Sequence, residues 1–327
     1  MASYGKSELA RTTRLTKNVR TVVVGYGVQG HKRAHHAGSD LVAVVDPVHA
    51  EATYRELRDV PVGSYDAALL CTPDEAKVAL LEYLLGRGKH VLVEKPLDAV
   101  ESVLRKLQGS AESSGAVCYT AYNHRFEPHF LRLKDLIDSG ELGQIYSCRI
   151  FYGNGTARLV RESEWRDSES GVIRDLGSHL LDTCRFWFGE AAGPFSLASA
   201  HAFENRAPDH AVMVSERTVP RIELEMTLCM WRNHFTCDVL AEKGTAHIDS
   251  LCKWGPSTFT QRTRVLPSGR PTELSVVRVE SDPTWALEYE HFRSLVLSGA
   301  KTDLSADLWI HSTLSKMSEA WRSGSQT

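Results

Sequence analysis

The chain has 327 residues, with 38 Lys and Arg against 41 Asp and Glu for a formal net charge of -3, and 42% hydrophobic side chains. That balance excludes the strong field needed to hold nucleic acid phosphates or an anionic lipid surface, and the length exceeds the size at which one core tends to split, so two domains are expected. No apolar run approaches the roughly 18 residues of a membrane span, and seven cysteines without a Cys-x-x-Cys pair read as reduced, buried thiols, which points to a cytoplasmic protein with no membrane or nucleic acid partner.

From Arg20 short β-rich runs alternate with helical stretches, the rhythm of a parallel sheet covered on both faces. Thr21 to Gly25 reads as a central strand, Val28 to Ala37 as a helix, Leu41 to Asp46 as a strand ending in an acid, and His49 to Arg58 as a further helix. Strand Asp66 to Cys71, helix Glu75 to Arg87, strand His90 to Val93, helix Val100 to Ser114 and strand Val117 to Tyr122 continue the alternation. Past Asn123 the pattern changes. Helix Pro128 to Ser139 stops at Gly140, and Ile145 to Tyr152 reads as a strand. Ile222, Leu224, Met226, Leu228 and Met230 alternate with polar residues as on a half-buried antiparallel strand, which Phe235, Cys237 and Val239 continue. Lys243-Gly244 makes a turn, and helices Thr284 to Ser298 and Ser305 to Arg322 follow. The fold class is therefore α/β: a doubly wound parallel sheet, then an α+β domain with a large, open, mostly antiparallel sheet.

Gly25-Tyr26-Gly27-Val28-Gln29-Gly30 is a G-x-G-x-x-G between a strand and a helix start. In that setting the first glycine permits a tight turn, the second lets backbone approach a pyrophosphate, and the third lets helix and strand pack closely. Asp46 follows 21 residues after Gly25, where a carboxylate accepts from ribose hydroxyls and repels a 2′-phosphate, favouring NAD over NADP. A structural glycine turn with no nucleotide is the alternative. Thr72-Pro73 and Glu94-Lys95-Pro96 follow the third and fourth strands, at the carboxyl edge where such sheets bind ligands. Lys95 there is either a chemical group or a solvated strand-end cation. Asp175 and His179, on a helix expected to begin near Asp175, share one face. A near-neutral histidine can take a hydroxyl proton and a nearby carboxylate can orient it, although a structural pair would look the same. His31, His35 and His36 lack carboxylates at metal-ligand spacing and read as surface histidines, so no metal is expected.

The glycine loop, Thr72-Pro73, Lys89-His90-Val91 leading to Glu94-Lys95-Pro96, Asn123-His124-Arg125-Phe126, and Asp175 to Asp182 occur in this order. On these residues the chain, from Asn18 onward, resembles the glucose–fructose oxidoreductase, inositol dehydrogenase and rhizopine catabolism (Gfo/Idh/MocA) family. The resemblance implies a Rossmann domain over 18–125 that holds NAD through Gly25, Tyr26, Gly27, Val28, Gln29, Gly30, Asp46, Thr72, Pro73, Glu94 and Lys95. It implies a substrate-binding domain over 126–327 whose open sheet builds homodimers or homotetramers. Lys95, Asp175 and His179 become the catalytic set, Arg125 a substrate or nicotinamide contact, Glu94 a support of the lysine loop and Asp182 a further support.

The activity implied is oxidation of a secondary hydroxyl on a small-molecule sugar. The loop from Tyr152 to Arg166, with Tyr152, Arg158, Trp165 and Arg166 as substrate contacts, is similar to that of members acting on nucleotide-activated amino sugars. The expected substrate is thus of the UDP-N-acetylglucosamine type, oxidised at the 3-hydroxyl ahead of transamination. A solvated loop, with Glu162, Glu164 and Asp167 balancing the arginines, is the bland reading of the same segment. A free sugar or inositol is the second substrate reading, and a non-catalytic dinucleotide sensor the alternative of another class. Three departures stand out: Lys77 replaces a histidine frequent in the family, Arg174 follows Ser170-Gly171-Val172 where a glycine run is common, and the interval from Asp46 to Thr72 is short, so one strand or helix should be trimmed. Whether Lys95 or His179 is the final base stays open.

Overall fold

The structure, a computed structural model, describes residues 18–163, 166–168 and 170–324. The first half contains five parallel strands, β1 (Thr21–Val24), β2 (Leu41–Val45), β3 (Ala67–Leu70), β4 (His90–Glu94) and β5 (Cys118–Ala121), in the order β2-β1-β3-β4-β5. Strands β1, β3 and β5 are buried along their whole length because both faces carry layers, which suits continuous runs such as Thr-Val-Val-Val and Ala-Ala-Leu-Leu. Helices α1 (Val28–Ala37), α2 (Asp74–Leu85) and α3 (Glu101–Ser114) make the crossovers. The chain order reverses between β1 and β3, so the loops leaving these two strands border one crevice, the usual ligand position in such sheets.

The helix expected over His49 to Arg58 does not form among the described residues. Instead the N–H groups of Thr53 and Tyr54 return to the Val44 carbonyl, at 2.8 and 3.1 Å, and Tyr54 bridges Val45. Arg55 donates to the His49 carbonyl at 2.8 Å. Short turns at Leu57–Asp59 and Val62–Ser64 then lead to β3. The trimmed element anticipated from the short Asp46 to Thr72 interval is this crossover helix.

The second half builds one eight-stranded sheet from β6 (Ile145–Gly153), β7 (Phe195–His201), β8 (His210–Ser215), β9 (Arg221–Thr227), β10 (His234–Ala241), β11 (Gly244–Asp249), β12 (Ser257–Thr263) and β13 (Thr272–Arg278). Its order is β13-β12-β11-β10-β6-β9-β8-β7, antiparallel throughout except where β6 runs parallel to β9. Ile222, Leu224 and Met226 are buried on β9, as their alternation predicts, but the strand ends at Thr227. Phe235, Cys237 and Val239 belong to a separate strand, β10, that pairs with β6 and β11 rather than prolonging β9.

Helices α4 (Pro128–Asp138), α6 (Gly171–Phe188) and α8 (Ser305–Gly324) share the large core beneath this sheet, while α5 (Ala157–Arg161) is a single short turn. Helix α6 starts at Gly171, earlier than expected. Gly171 has φ +44°, and a Cβ there would lie 2.3 Å from the Pro208 carbonyl oxygen, so only glycine fits this helix start. Helix α7 (Thr284–Ser298) returns to the first half, where Tyr289 and Phe292 are buried in one cluster with Val19, Val23, Leu69 and Leu92. Among the described residues no helix is long and apolar enough to cross a membrane.

Candidate active site

The glycine loop leaves β1 with Gly25 at φ +88°, where a Cβ would lie 2.6 Å from the Cys71 carbonyl oxygen. A Cβ on Gly30 would lie 2.0 Å from the Gly25 oxygen, whereas one on Gly27 would meet nothing within 4 Å. The outer glycines are thus demanded by the packing of the chain itself, and the middle one faces open space at the start of α1, whose first turn has no side-chain cap. Val28 beside it is 75% exposed, and Gln29 is exposed too.

Asp46 secures this loop. Its Oδ2 accepts from the Tyr26 N–H at 2.8 Å, and its Oδ1 from Val48 and His49 at 2.9 and 2.8 Å. Burial opposes the carboxylate charge, but the three N–H donors outweigh it and hold the group below the usual range. A carboxylate offers about four acceptor positions, so one remains for a ribose hydroxyl. Across the crevice the buried Thr72 hydroxyl has no hydrogen-bond partner among the described residues, and Pro73 opens α2. These features fit a dinucleotide: open backbone for the pyrophosphate, a charged acceptor for the ribose, and an unused donor opposite.

Lys95 follows β4, with a cis bond to Pro96. Both sides of it are held from below. Glu94 accepts from Arg33 Nε at 2.7 Å, and Arg33 Nη1 donates to Glu288 of α7, also at 2.7 Å. Lys77 on α2 is only 3% exposed, and its Nζ donates to the Glu94 and Pro96 carbonyls at 2.6 and 3.2 Å while pairing with Asp74 at 2.6 Å. The lysine that replaces a family histidine therefore clamps the Glu-Lys-Pro turn. Arg174, the other departure, joins the halves: Nη2 reaches Asp74 at 2.5 Å and Nε reaches Asp98 at 2.8 Å, while His311 of α8 also meets Asp98 at 2.5 Å.

That clamp brings the first turns of α6 onto Lys95. Lys95 Nζ donates to Asp175 Oδ1 at 3.1 Å and to the Asp175 carbonyl at 3.0 Å, and Arg166 Nη2 approaches the other carboxylate oxygen at 3.3 Å. Burial works against the charge of Asp175, yet these two cations keep it below the ordinary carboxylate range. His179, one turn further along α6, is 8% exposed. Its ring stacks on His124, with centres 4.2 Å apart at 19°, and the Nδ1 atom of His179 is buried without a hydrogen-bond partner among the described residues. His124 Nε2 in turn accepts from Lys253 Nζ at 3.1 Å. Burial, reinforced by Lys95 and Lys253, pushes both imidazoles well below their usual pKa, so both are neutral.

Of the two groups that Asp175 is expected to orient, Lys95 and His179, it contacts the lysine. Among the described residues the Asp175 carboxylate serves Lys95 and Arg166, and stacking positions the imidazole. Tyr152 lines the same cluster, its ring 5.6 Å from His124 and 6.2 Å from His179. Arg125 is committed elsewhere: its guanidinium grips the buried Asp182, with Nε 2.9 Å from Oδ2, and so fastens the Asn123–Phe126 turn to α6. Arg158 is exposed and faces Glu162 at 3.8 Å, and Arg161 faces Glu204 at 3.6 Å. Trp165 lies outside the described residues. Lys253 carries no motif signal and was missed, and His124 appeared only inside the Asn-His-Arg-Phe string.

The NAD-binding Rossmann model of the oxidoreductase family matches residues 19–122, and the C-terminal domain model of the same family matches 130–247. An inositol 2-dehydrogenase of Rhizobium meliloti is 30% identical over 198 residues, 56% of this chain and 58% of that protein. The NADP-dependent scyllo-inositol 2-dehydrogenase of Bacillus subtilis is 32% identical over 202 residues, 55% of each. The chain thus aligns with little more than half the length of these two curated relatives. Levoglucosan dehydrogenase in complex with NADH superimposes with a TM-score of 0.79 at 17% identity, covering 94% of this chain and 98% of that one, a likeness of fold. With models of one family matching both halves of the chain, over 19–122 and 130–247, the chain belongs to the Gfo/Idh/MocA oxidoreductase family.

Proposed function

We infer that this protein is an NAD-dependent dehydrogenase acting on a secondary hydroxyl of a free sugar or cyclitol. The observation that carries the reading is the convergence of Lys95, at the end of β4, with Asp175 and a neutral His179 on α6. When bound, the nicotinamide supplies the acceptor for the hydride leaving the carbinol carbon. His179 accepts the hydroxyl proton, Lys95 donates a hydrogen bond to the same oxygen as charge develops, and Asp175 keeps Lys95 in place. Asp46 favours NAD, and residues 18–125 and 126–327 divide the cofactor and substrate roles. In this reading the protein works in the cytoplasm as a homodimer or homotetramer built through the open face of the eight-stranded sheet.

The inositol dehydrogenases among the relatives support a small polyol. The nucleotide-sugar reading comes second, because Arg158 and Arg161 spend their charge on Glu162 and Glu204. The test is a panel of myo-inositol, scyllo-inositol, D-glucose, D-xylose and UDP-N-acetylglucosamine with NAD and NADP, following absorbance of the reduced cofactor. Turnover of a free polyol with NAD is the expected result. Turnover of the nucleotide sugar alone would reverse the ranking of substrates, and NADH binding without any turnover would make the chain a sensor.

A further inference from the structure

The second half contributes a cation that the acid/base set does not use. Lys253 stands on the short turn Cys252–Trp254, which is seated by the Cys252 N–H donating to Glu127 Oε2 at 3.3 Å. The lysine is half-buried, with its Nζ 4.9 Å from the Trp254 ring and 5.9 Å from the Tyr152 ring. Among the described residues its one hydrogen bond is to the neutral His124, at 3.1 Å, and it makes no ion pair: Glu127 and Asp282 lie near enough to feel its charge but not in contact. An enclosed ammonium without a carboxylate is costly unless a counter-charge arrives.

The rest of the cluster sharpens this imbalance. Lys95, Arg166 and Lys253 bring three positive charges around two neutral imidazoles, and among the described residues Asp175 pairs with the first two and leaves Lys253 without a carboxylate in contact. An oxidised nicotinamide would add a further positive charge. We propose that Lys253 is a specificity residue that binds an anionic substituent, a carboxylate or a phosphate, on the sugar substrate. Among the described residues one of its three N–H donors is engaged, by His124, which leaves two for that group, and one stacked imidazole separates it from His179, a reach that a single sugar skeleton bridges between its reacting hydroxyl and its anion. The preferred substrate class is then an acidic sugar rather than a neutral polyol. This rests on the dehydrogenase reading and narrows it.

The test is calorimetric binding to NADH-loaded protein of D-glucose, D-glucuronate and D-glucose 6-phosphate, with D-galactose and D-galacturonate as a second pair. The expected result is that at least one anion binds roughly tenfold or more tighter than its neutral counterpart, that Lys253→Met narrows the ratio to within about threefold, and that Lys253→Arg retains most of it. Circular dichroism of both variants checks folding. Anions that bind no better than the neutral sugars, or a preference that survives in folded Lys253→Met, would overturn the proposal. Turnover separates the two readings: a charge preference with no oxidation of these sugars or of the panel above leaves this one standing and ends the dehydrogenase, whereas equal kcat/KM for glucose, glucuronate and glucose 6-phosphate does the reverse.

Discussion

The imidazole of His124 lies against that of His179, ring centres 4.2 Å apart, with Lys253 on the outer nitrogen of His124. The stack fixes the plane of His179, and among the described residues no carboxylate touches the ring to stabilise its protonated form. Enclosure and like charge, rather than a hydrogen-bonded acid, keep this imidazole free of a second proton at neutral pH, the state that the proposed role of base requires.

Stability should carry the mark of that neutral ring. An imidazole whose native pKa lies below its unfolded value of 6.5 binds fewer protons when folded, so its contribution is full above that pH and is lost as pH falls through 6.5 toward the native value. Glu288 and Asp307, both raised to about 7 chiefly by burial, act in the opposite sense and add stability as pH falls from about 7 toward their unfolded values. Comparing wild type with His179→Asn removes that opposition. Below about pH 6.5 the wild type should lose up to about 1.4 kcal/mol per pH unit relative to the variant in urea unfolding. Parallel profiles would mean that His179 protonates freely in the fold.

For the chemistry, His179→Ala should lower kcat about a hundredfold or more while NADH affinity moves by less than about threefold. Lys95→Ala should fall at least as far. Asp175→Asn should also impair turnover, because the lysine then loses its fixed counter-charge. Stopped-flow measurement of the oxidation step, with fluorescence titration of NADH, distinguishes lost chemistry from lost binding.

Two alanine substitutions in one loop should fail differently. Gly30→Ala places a Cβ 2.0 Å from a backbone oxygen and should destabilise the fold outright. Gly27→Ala meets no protein atom within 4 Å and should fold with a melting temperature close to wild type, yet bind NADH at least about tenfold more weakly, because the methyl occupies the space kept for pyrophosphate. Unchanged NADH binding in Gly27→Ala would remove the pyrophosphate from this position.

Lys77→Met tests the clamp beneath Lys95. It strands the Glu94 and Pro96 carbonyls and leaves Asp74 to Arg174 alone. A loss of about 2–4 kcal/mol in guanidinium unfolding is expected, together with a kcat that falls more than KM rises, since the turn carrying Lys95 loosens. A variant as stable and as active as wild type would show that the loop holds itself.

Much of this was legible from local signals. The glycine spacing, the acid closing β2 and the lysine closing β4 each mark the end of a strand, and strand ends are where open parallel sheets bind their ligands. His49 to Arg58 misled because its residues favour a helix, while the structure turns Thr53 and Tyr54 back onto the Val44 carbonyl, a long-range choice that outweighs propensity. Lys253 was invisible for a related reason. Nothing in Leu-Cys-Lys-Trp-Gly suggests a site, and the lysine acquires its place only because Cys252 docks on Glu127, 125 residues away in sequence.

Helix α7 places Tyr289 and Phe292 inside the core of the first sheet, and its Glu288 holds Arg33 beneath the Lys95 turn. During synthesis the nucleotide-binding half must therefore wait, its apolar face uncovered, until nearly the whole second half has emerged. A fragment ending before Thr284 would expose that face and leave Arg33 without one of its two counter-charges, so the first half cannot complete its core without a helix made almost at the end of the chain.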